Sequence, residues 1–155
     1  MSGLRLLKNT PTVITFPILL LMLLSDYYLA FLEIIPFPLN FFGIIFIILG
    51  NFVLISARRI FSKFKVSVEP NEKTVILVDA GIYKFSRNPM YLAIILIILG
   101  LAILLADLTP FIFVLIYFLI LNYYYIPNEE RKLKKRFKNK WLEYSNKVGR
   151  WITIS

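Results

Sequence analysis

Residues 87–126 read RNPMYLAIILIILGLAILLADLTPFIFVLIYFLILNYYYI, the segment from which the predicted fold follows. It contains two uncharged apolar runs, 89–106 and 108–126, which are separated by a turn around Asp107. Each run is close to the roughly 20 residues that an α-helix needs to cross a bilayer. Because the connection is so short, we predict two antiparallel, neighbouring transmembrane helices.

Two further apolar runs, 12–35 and 39–57, precede this pair. We therefore predict an all-α polytopic membrane protein, with about four transmembrane helices in a single domain, 1–155. The composition agrees, because 59% of the 155 residues are hydrophobic and only 17% are charged. A soluble domain has about 45–50% apolar residues. In the loop between the second and third spans, region 65–78 has the pattern of a small hairpin or interfacial flap.

The basic residues predict the orientation of the spans. All 18 Lys and Arg residues lie before the first span, between the second and third, or after the fourth. Because neither outer loop contains one, the positive-inside rule places both termini and the long loop in the cytoplasm. With this distribution, the net charge of +9 indicates contact with membrane lipids and not with nucleic acid.

The tail from 128 to 148 predicts an amphipathic helix at the membrane interface. Its apolar residues recur every three or four positions and form one stripe, made of Leu133, Phe137, Trp141, Tyr144 and Val148. Lys and Arg fill most of the opposite face, a combination typical of helices that lie among lipid headgroups.

The antiparallel pair brings the start of the third span beside the end of the fourth. Arg87, Asn88 and Pro89 stand at that start, and Glu129 and Glu130 follow that end. Each has a plain structural explanation, since Asn-Pro begins helices and acids favour a first turn. Together they offer a cation, a helix N-terminus and two carboxylates, beside aromatic rings. A zwitterion with a further positive centre, such as S-adenosylmethionine, suits such a site.

Missing residue types narrow the chemistry further. The chain has no Cys and no His, so disulfides and a thiol nucleophile are excluded and no metal site is expected. It also lacks Gly-x-Gly, which argues against a soluble Rossmann-type enzyme. If the bound cofactor is S-adenosylmethionine, the group it donates is a methyl group. A carboxylate that accepts the methyl group needs no general base, whereas an amine or thiol acceptor would need Glu129, Glu130 or a Tyr as base. The absence of His therefore slightly favours an anionic group as the acceptor of the methyl group.

The sequence resembles the superfamily of isoprenylcysteine carboxyl methyltransferases and phospholipid methyltransferases, which are integral membrane enzymes. The family pattern is Gly-x-Tyr-x-x-x-Arg-(His/Asn)-Pro-x-Tyr, then Glu-Glu-x-x-Leu-x-x-x-Phe, then Tyr-x-x-x-Val-x-Arg. The residues that match it are Gly81, Tyr83, Arg87, Asn88, Pro89, Tyr91, Glu129, Glu130, Leu133, Phe137, Tyr144, Val148, Arg150 and, directly after the last part, Trp151. Asn88 stands where the isoprenylcysteine enzymes commonly have His, and Lys138 replaces a frequent Gly.

The resemblance implies S-adenosylmethionine-dependent methyl transfer, at the cytoplasmic membrane face, to a lipophilic acceptor. That acceptor would be a carboxylate such as isoprenylcysteine, or a lipid amine. Arg87 and Glu130 would be catalytic, and Arg87 and Arg150 would bind the acceptor. The residues implied to bind the cofactor are Gly81, Tyr83, Arg87, Asn88, Pro89, Tyr91, Glu129 and Glu130.

Two other functions fit parts of the sequence. Sterol-type reductases look similar in this C-terminal region but use NADPH, and they tend to have His-Pro-Asn-Tyr where residues 88–91 are Asn-Pro-Met-Tyr. A non-catalytic four-span membrane protein with a basic lipid-binding tail is the other alternative. In that protein the two charged clusters would be only helix caps and membrane anchors.

Overall fold

The computed structural model describes residues 12–29, 32–63 and 77–153, so nearly all of the predicted flap at 65–78 lies outside the described residues. The described part of the chain is helical and has no β-strand, which confirms the predicted all-α class. An isolated backbone bridge joins Glu33 to Asp107.

Six α-helices, two 3₁₀ turns and one π-helical turn make up the described chain. In order, they are α1 (Thr12–Leu29), a 3₁₀ turn (Leu39–Phe42), α2 (Gly43–Lys63), a 3₁₀ turn (Gly81–Lys84), α3 (Pro89–Leu105), α4 (Leu108–Ile120), a π turn (Leu121–Tyr125), α5 (Ile126–Phe137) and α6 (Asn139–Lys147).

The bounds of all four helices differ from the predicted ranges, those of α3 by only one residue at its end, Leu105. α1 ends at Leu29, before the predicted limit of 35, and α2 runs past 57 to Lys63. α3 begins at Pro89, as its Asn-Pro start predicts. The fourth predicted span, 108–126, does not end there, because α4, the π turn and α5 form one continuous helix, Leu108–Phe137.

Pro127 lies inside this long helix, although the sequence suggested that the helix ends there. A proline ring normally clashes with the carbonyl four residues earlier. Here the turn before Pro127 is π-helical, with the Ile126 amide donating to the Leu121 carbonyl five residues back. The wider turn leaves room for the ring, so the helix continues.

The predicted single helix 128–148 is also corrected. The chain breaks at Lys138, whose φ of 47° lies in the left-handed region, and α6 starts at the next residue. Lys138 stands where the resembled family often has Gly, the residue that adopts this conformation most easily. Because of this break, the apolar stripe faces the protein and packs against Leu77. The stripe residues in this cluster are Leu133, Phe137, Trp141, Tyr144 and Val148.

α3 lies between two neighbours, with α2 packed against one side and α4 against the other, and α1 packs against α4. The α2–α3 contact is close because glycines line it. A side chain on Gly43 would collide with the Gly100 carbonyl, and one on Gly50 would lie 2.7 Å from the Ala93 carbonyl. The core on the other side of α3 consists of Ile18, Met22, Tyr91, Ile98, Tyr117, Leu121 and Ile126.

The turn between α3 and α4 fixes the end of the molecule opposite Arg87. Asp107 caps α4 by accepting a hydrogen bond from the Thr109 amide at 3.0 Å. Its second carboxylate oxygen accepts from the Leu32 amide at 2.9 Å. The Ile34 amide donates to the Ala106 carbonyl at 2.8 Å. These bonds tie the segment after α1 to the predicted turn.

Two helices in the described chain, Leu39–Ile60 and Leu108–Phe137, are long and apolar enough to cross a membrane. Val13–Leu29 and Pro89–Leu105 are apolar but shorter. Large apolar side chains on α1 and α2 are exposed, including Phe16 and Phe52. Contiguous exposure of this kind suits a hydrocarbon environment. The arrangement of four spans stays a prediction.

Candidate functional site

Three charged side chains meet where the start of α3 lies beside α5. Arg87 Nη1 lies 3.4 Å from Glu130 Oε1, and Arg150 Nη2 lies 2.7 Å from Glu130 Oε2. The side chains of Arg87 and Glu130 are only 15% and 16% exposed, while that of Arg150 is 34% exposed. Water therefore screens the Arg87–Glu130 pair weakly. Two cations share one carboxylate, so the cluster keeps a net positive charge.

Trp141 of α6 forms one wall of this cluster. The Arg87 guanidinium carbon lies 5.6 Å from the centre of a Trp141 ring, within the range of a cation–π contact. Arg87 Nε is buried and has no hydrogen-bond partner in the described part of the chain. An unsatisfied buried donor is costly, and it offers a bond to any acceptor that reaches it.

The segment after α6 returns across the start of α3 and holds it in place. The Arg87 amide donates to the Gly149 carbonyl at 3.0 Å. The Asn88 side-chain amide donates to the Arg150 carbonyl at 3.1 Å. Asn88 precedes α3 as predicted, but its side chain does not cap the helix. Its role is to fix the backbone that carries Arg150.

Two buried tyrosines fix the loop before Arg87. The Tyr144 hydroxyl donates to the Tyr83 carbonyl at 2.8 Å. Burial raises the pKa of the Tyr83 phenol above its ordinary value, and Tyr144 and Glu129 add to the rise. Burial also raises the pKa of Tyr144, although the Arg87 guanidinium acts in the opposite direction. Both phenols therefore stay protonated near neutral pH, which makes them unsuitable as general bases.

The two adjacent acids of α5 have different partners. The Glu130 carboxylate pairs with two arginines, whereas the Glu129 carboxylate lies beside the Tyr91 hydroxyl. Tyr91 is in the first turns of α3 and is buried in the core. Both acids thus connect α5 to the start of α3, and Glu130 also pairs with Arg150 of the segment after α6.

An open groove lies beside Glu130, between α5 and α6. It has a volume of about 310 Å³ and is lined by Pro127, Glu130, Arg131, Lys134, Trp141, Leu142 and Ser145. Ligand sites in proteins commonly measure about 300–1,000 Å³. The charged side chains that line it are Glu130, Arg131 and Lys134, and Trp141 is its aromatic wall, whereas Arg87 and Arg150 do not line it.

Not all of the predicted residues share this point. Glu130 is in contact with both Arg87 and Arg150, Asn88 and Pro89 lie beside them, and Tyr91 lies near Glu129. Gly81 has a φ of 58° and packs against Ile60 of α2, where a side chain would collide. Tyr83 packs with Ala57 and Val78. These two residues position the loop that carries Arg87.

Three residues of the site were not among the predicted site residues. Trp141 contacts Arg87, and Trp151 donates from its ring nitrogen to Asn122 Oδ1 at 3.0 Å. Arg150 Nη1 lies 3.5 Å from the same oxygen. The sequence does carry one signal for Asn122, because it is an amide in the otherwise apolar run 108–126.

The model of a family described as phospholipid methyltransferase matches residues 39–140. The match spans α2 to α5 and includes both Arg87 and Glu130. The chain belongs to the phospholipid methyltransferase family. An uncharacterised protein of Haemophilus influenzae is 33% identical over 63 residues, which cover 41% of this chain and 100% of that protein. No solved structure matches the chain.

Membership of the phospholipid methyltransferase family makes the chain a membrane methyltransferase and confirms the resemblance found in the sequence. It does not favour the reductase or the non-catalytic alternative. The match ends at 140, before Trp141, Arg150 and Trp151. The contacts of these three residues are therefore features of this chain that the family match does not cover.

Proposed function

We propose that the chain transfers a methyl group from S-adenosylmethionine to a lipophilic acceptor at the cytoplasmic face of a membrane. The observation that carries the proposal is the ion pair between Arg87 and Glu130, whose side chains are only 15% and 16% exposed. The α3–α4 hairpin separates these residues in the sequence, and the family match supplies the reaction class.

The residues of the cluster fit the cofactor by their chemistry. Arg87 Nε is a buried donor without a partner among the described residues, and a carboxylate would satisfy it. Glu129 and Glu130 offer acceptors for an ammonium group and for hydroxyls. When bound, S-adenosylmethionine supplies a methyl group on a positively charged sulfur. The protein contributes orientation, exclusion of water and the placement of charge.

The positive charge of the cluster favours an anionic acceptor. Arg87 and Arg150 share one carboxylate, so one positive charge remains to attract the acceptor and orient it. A carboxylate acceptor, such as that of isoprenylcysteine, would need no base. A lipid amine would need a proton acceptor, and Glu129 is better placed for that role than Glu130, which already binds two arginines.

We further propose that four helices cross the membrane and that both termini are cytoplasmic. The support is the exposed apolar surface of α1 and α2, together with the absence of Lys and Arg from residues 9–57 and 88–130. The cluster at Arg87 would then face the cytoplasm, and the Glu33–Asp107 bridge would face outward.

Single cysteines can test this orientation directly, because the natural chain has none. Glu33→Cys should react with a membrane-impermeant maleimide added to intact cells. Asn146→Cys, on the exposed surface of α6, should react only after the membrane is permeabilised. Labelling of Asn146→Cys in intact cells, with Glu33→Cys protected, would reverse the proposed orientation.

Methyl transfer can be tested with methyl-labelled cofactor and a total membrane-lipid extract. The purified protein should transfer label to a lipid-soluble product, and Arg87→Ala should lose at least about 100-fold of that activity because a buried charge pair is broken. Lys84→Ala removes an exposed cation from the same loop and should stay active. Transfer of label by Arg87→Ala at the natural rate would refute the site, and identification of the product would name the acceptor.

A further inference from the structure

Asn122 connects the tail of the chain to the charged cluster. Its Oδ1 accepts from the Trp151 ring nitrogen at 3.0 Å and lies 3.5 Å from Arg150 Nη1. The Trp151 ring also packs on Phe118, with 5.1 Å between the ring centres. Arg150 therefore has two anchors, Glu130 on one side and Asn122 on the other.

The π turn explains why Asn122 is aligned with Glu130. In a regular α-helix each residue turns by about 100°, so the residue seven positions on lies on nearly the same face. In that helix Asn122 would align with Glu129. The π turn Leu121–Tyr125 accommodates one extra residue and shifts this register by one position. Asn122 thus aligns with Glu130, while Glu129 turns toward Tyr91.

We propose that Asn122 is a positioning residue for methyl transfer, acting through Arg150 on Glu130. This role rests on the proposed function. The Arg150 side chain is 34% exposed, so without a second anchor it would populate other rotamers. Asn122 keeps the Arg150 cation on the carboxylate that also pairs with Arg87, so the charge that attracts the acceptor is already in position before the acceptor binds.

The test compares Asn122→Leu with Asn122→Asp in the full-length protein. Leucine removes the acceptor oxygen with little change in volume, whereas aspartate keeps it. Asn122→Leu should weaken binding of S-adenosylhomocysteine and lower kcat/KM by about tenfold, the effect of losing one charged hydrogen bond. Asn122→Asp keeps the acceptor oxygen, so its affinity for S-adenosylhomocysteine should stay within about threefold of the natural protein. Its added negative charge cancels the remaining positive charge of the cluster, so it should raise the KM for an anionic acceptor.

A spectroscopic signal reports on the contact itself. The chain has two tryptophans, so the indole N–H signal of Trp151 in a ¹H–¹⁵N spectrum can be assigned with Trp151→Phe. Asn122→Leu should move that signal, Asn122→Asp should keep it hydrogen-bonded, and the Trp141 signal should stay in place. Asn51→Leu is the control, because among the described residues the Asn51 side chain donates within α2 alone, to the Ile47 carbonyl at 2.8 Å.

Three results would overturn the role of Asn122. The Trp151 signal could be identical in Asn122→Leu, which would deny the contact. The signal could move while affinity and kcat/KM stay unchanged, which would make the contact merely structural. The natural protein could fail to bind S-adenosylhomocysteine at all, which would refute the proposed function and this role together, whether or not the indole signal moved.

Discussion

Replacing Glu130 with alanine should abolish both the binding of S-adenosylhomocysteine and methyl transfer. Glu130 is the shared counter-ion of two arginines, at 3.4 Å and 2.7 Å. Each charged contact is worth about 1.5–3 kcal/mol. Without the carboxylate, Arg87 is left partly buried with no counter-ion, and Arg150 loses its anchor. Titration calorimetry in detergent should detect a loss of affinity of at least about 100-fold.

Two further variants separate loss of the site from loss of the fold. Glu130→Gln keeps the shape of the side chain but removes its charge, so it should also bind poorly while remaining folded. Glu143→Ala removes an exposed acid from α6 and should behave like the natural protein. If Glu130→Ala and Glu130→Gln bound the ligand with unchanged affinity, Glu130 would not belong to the site.

Gly50→Leu should prevent α2 from packing against α3. A β-carbon at Gly50 would lie 2.7 Å from both the Ala93 carbonyl oxygen and a side-chain carbon of Ile97. A carbonyl on a helix backbone cannot move aside, so the two helices must separate. Overpacking costs about 1–3 kcal/mol and occasionally more, and we expect the upper end. The yield of folded protein and its thermal unfolding temperature in detergent should both fall sharply.

The matched control for Gly50→Leu is Ile48→Leu, on the same helix. Ile48 is exposed on the outer surface of α2, so this exchange should leave the unfolding temperature unchanged. Gly43→Leu should repeat the effect of Gly50→Leu, because its side chain would meet the Gly100 carbonyl. A Gly50→Leu protein as stable as the natural one would show that the helices do not pack this closely.

The parts of the fold that depend on local chemistry were predictable from the sequence. Asn-Pro starts α3 at Pro89, and Asp107 caps α4 in the predicted turn. The positions and lengths of the apolar runs predicted the central parts of α1 to α4. The end of the fourth helix was not predictable, because whether Pro127 stops a helix depends on the geometry of the turn before it.

The folding of the tail could not be predicted from periodicity alone. The stripe from Leu133 to Val148 has the spacing of a helix, but spacing does not say whether lipid or protein covers it. The positive φ of Lys138 turns α6 back, so protein covers the stripe. A lysine gives little warning of this conformation, since non-glycine residues seldom adopt a positive φ.

The charged members of the site followed from sequence, but most of their partners did not. Arg87 and Glu130 stand at the ends of one predicted hairpin, so their contact follows from topology. The contacts of Asn122 with Arg150 and Trp151 join positions that no local pattern connects. They depend on where the tail lies in three dimensions.

The hydrogen bonds between the tail and the start of α3 also set an order of events during synthesis. The Arg150 carbonyl binds Asn88 across 62 positions, and Phe85 binds Thr153 across 68. These partners emerge from the ribosome only after α3, α4, α5 and α6 have been made. A chain still being translated therefore has Arg87 in place but lacks Arg150 and Trp151. The finished arrangement of the site becomes available only once the last helix has folded back.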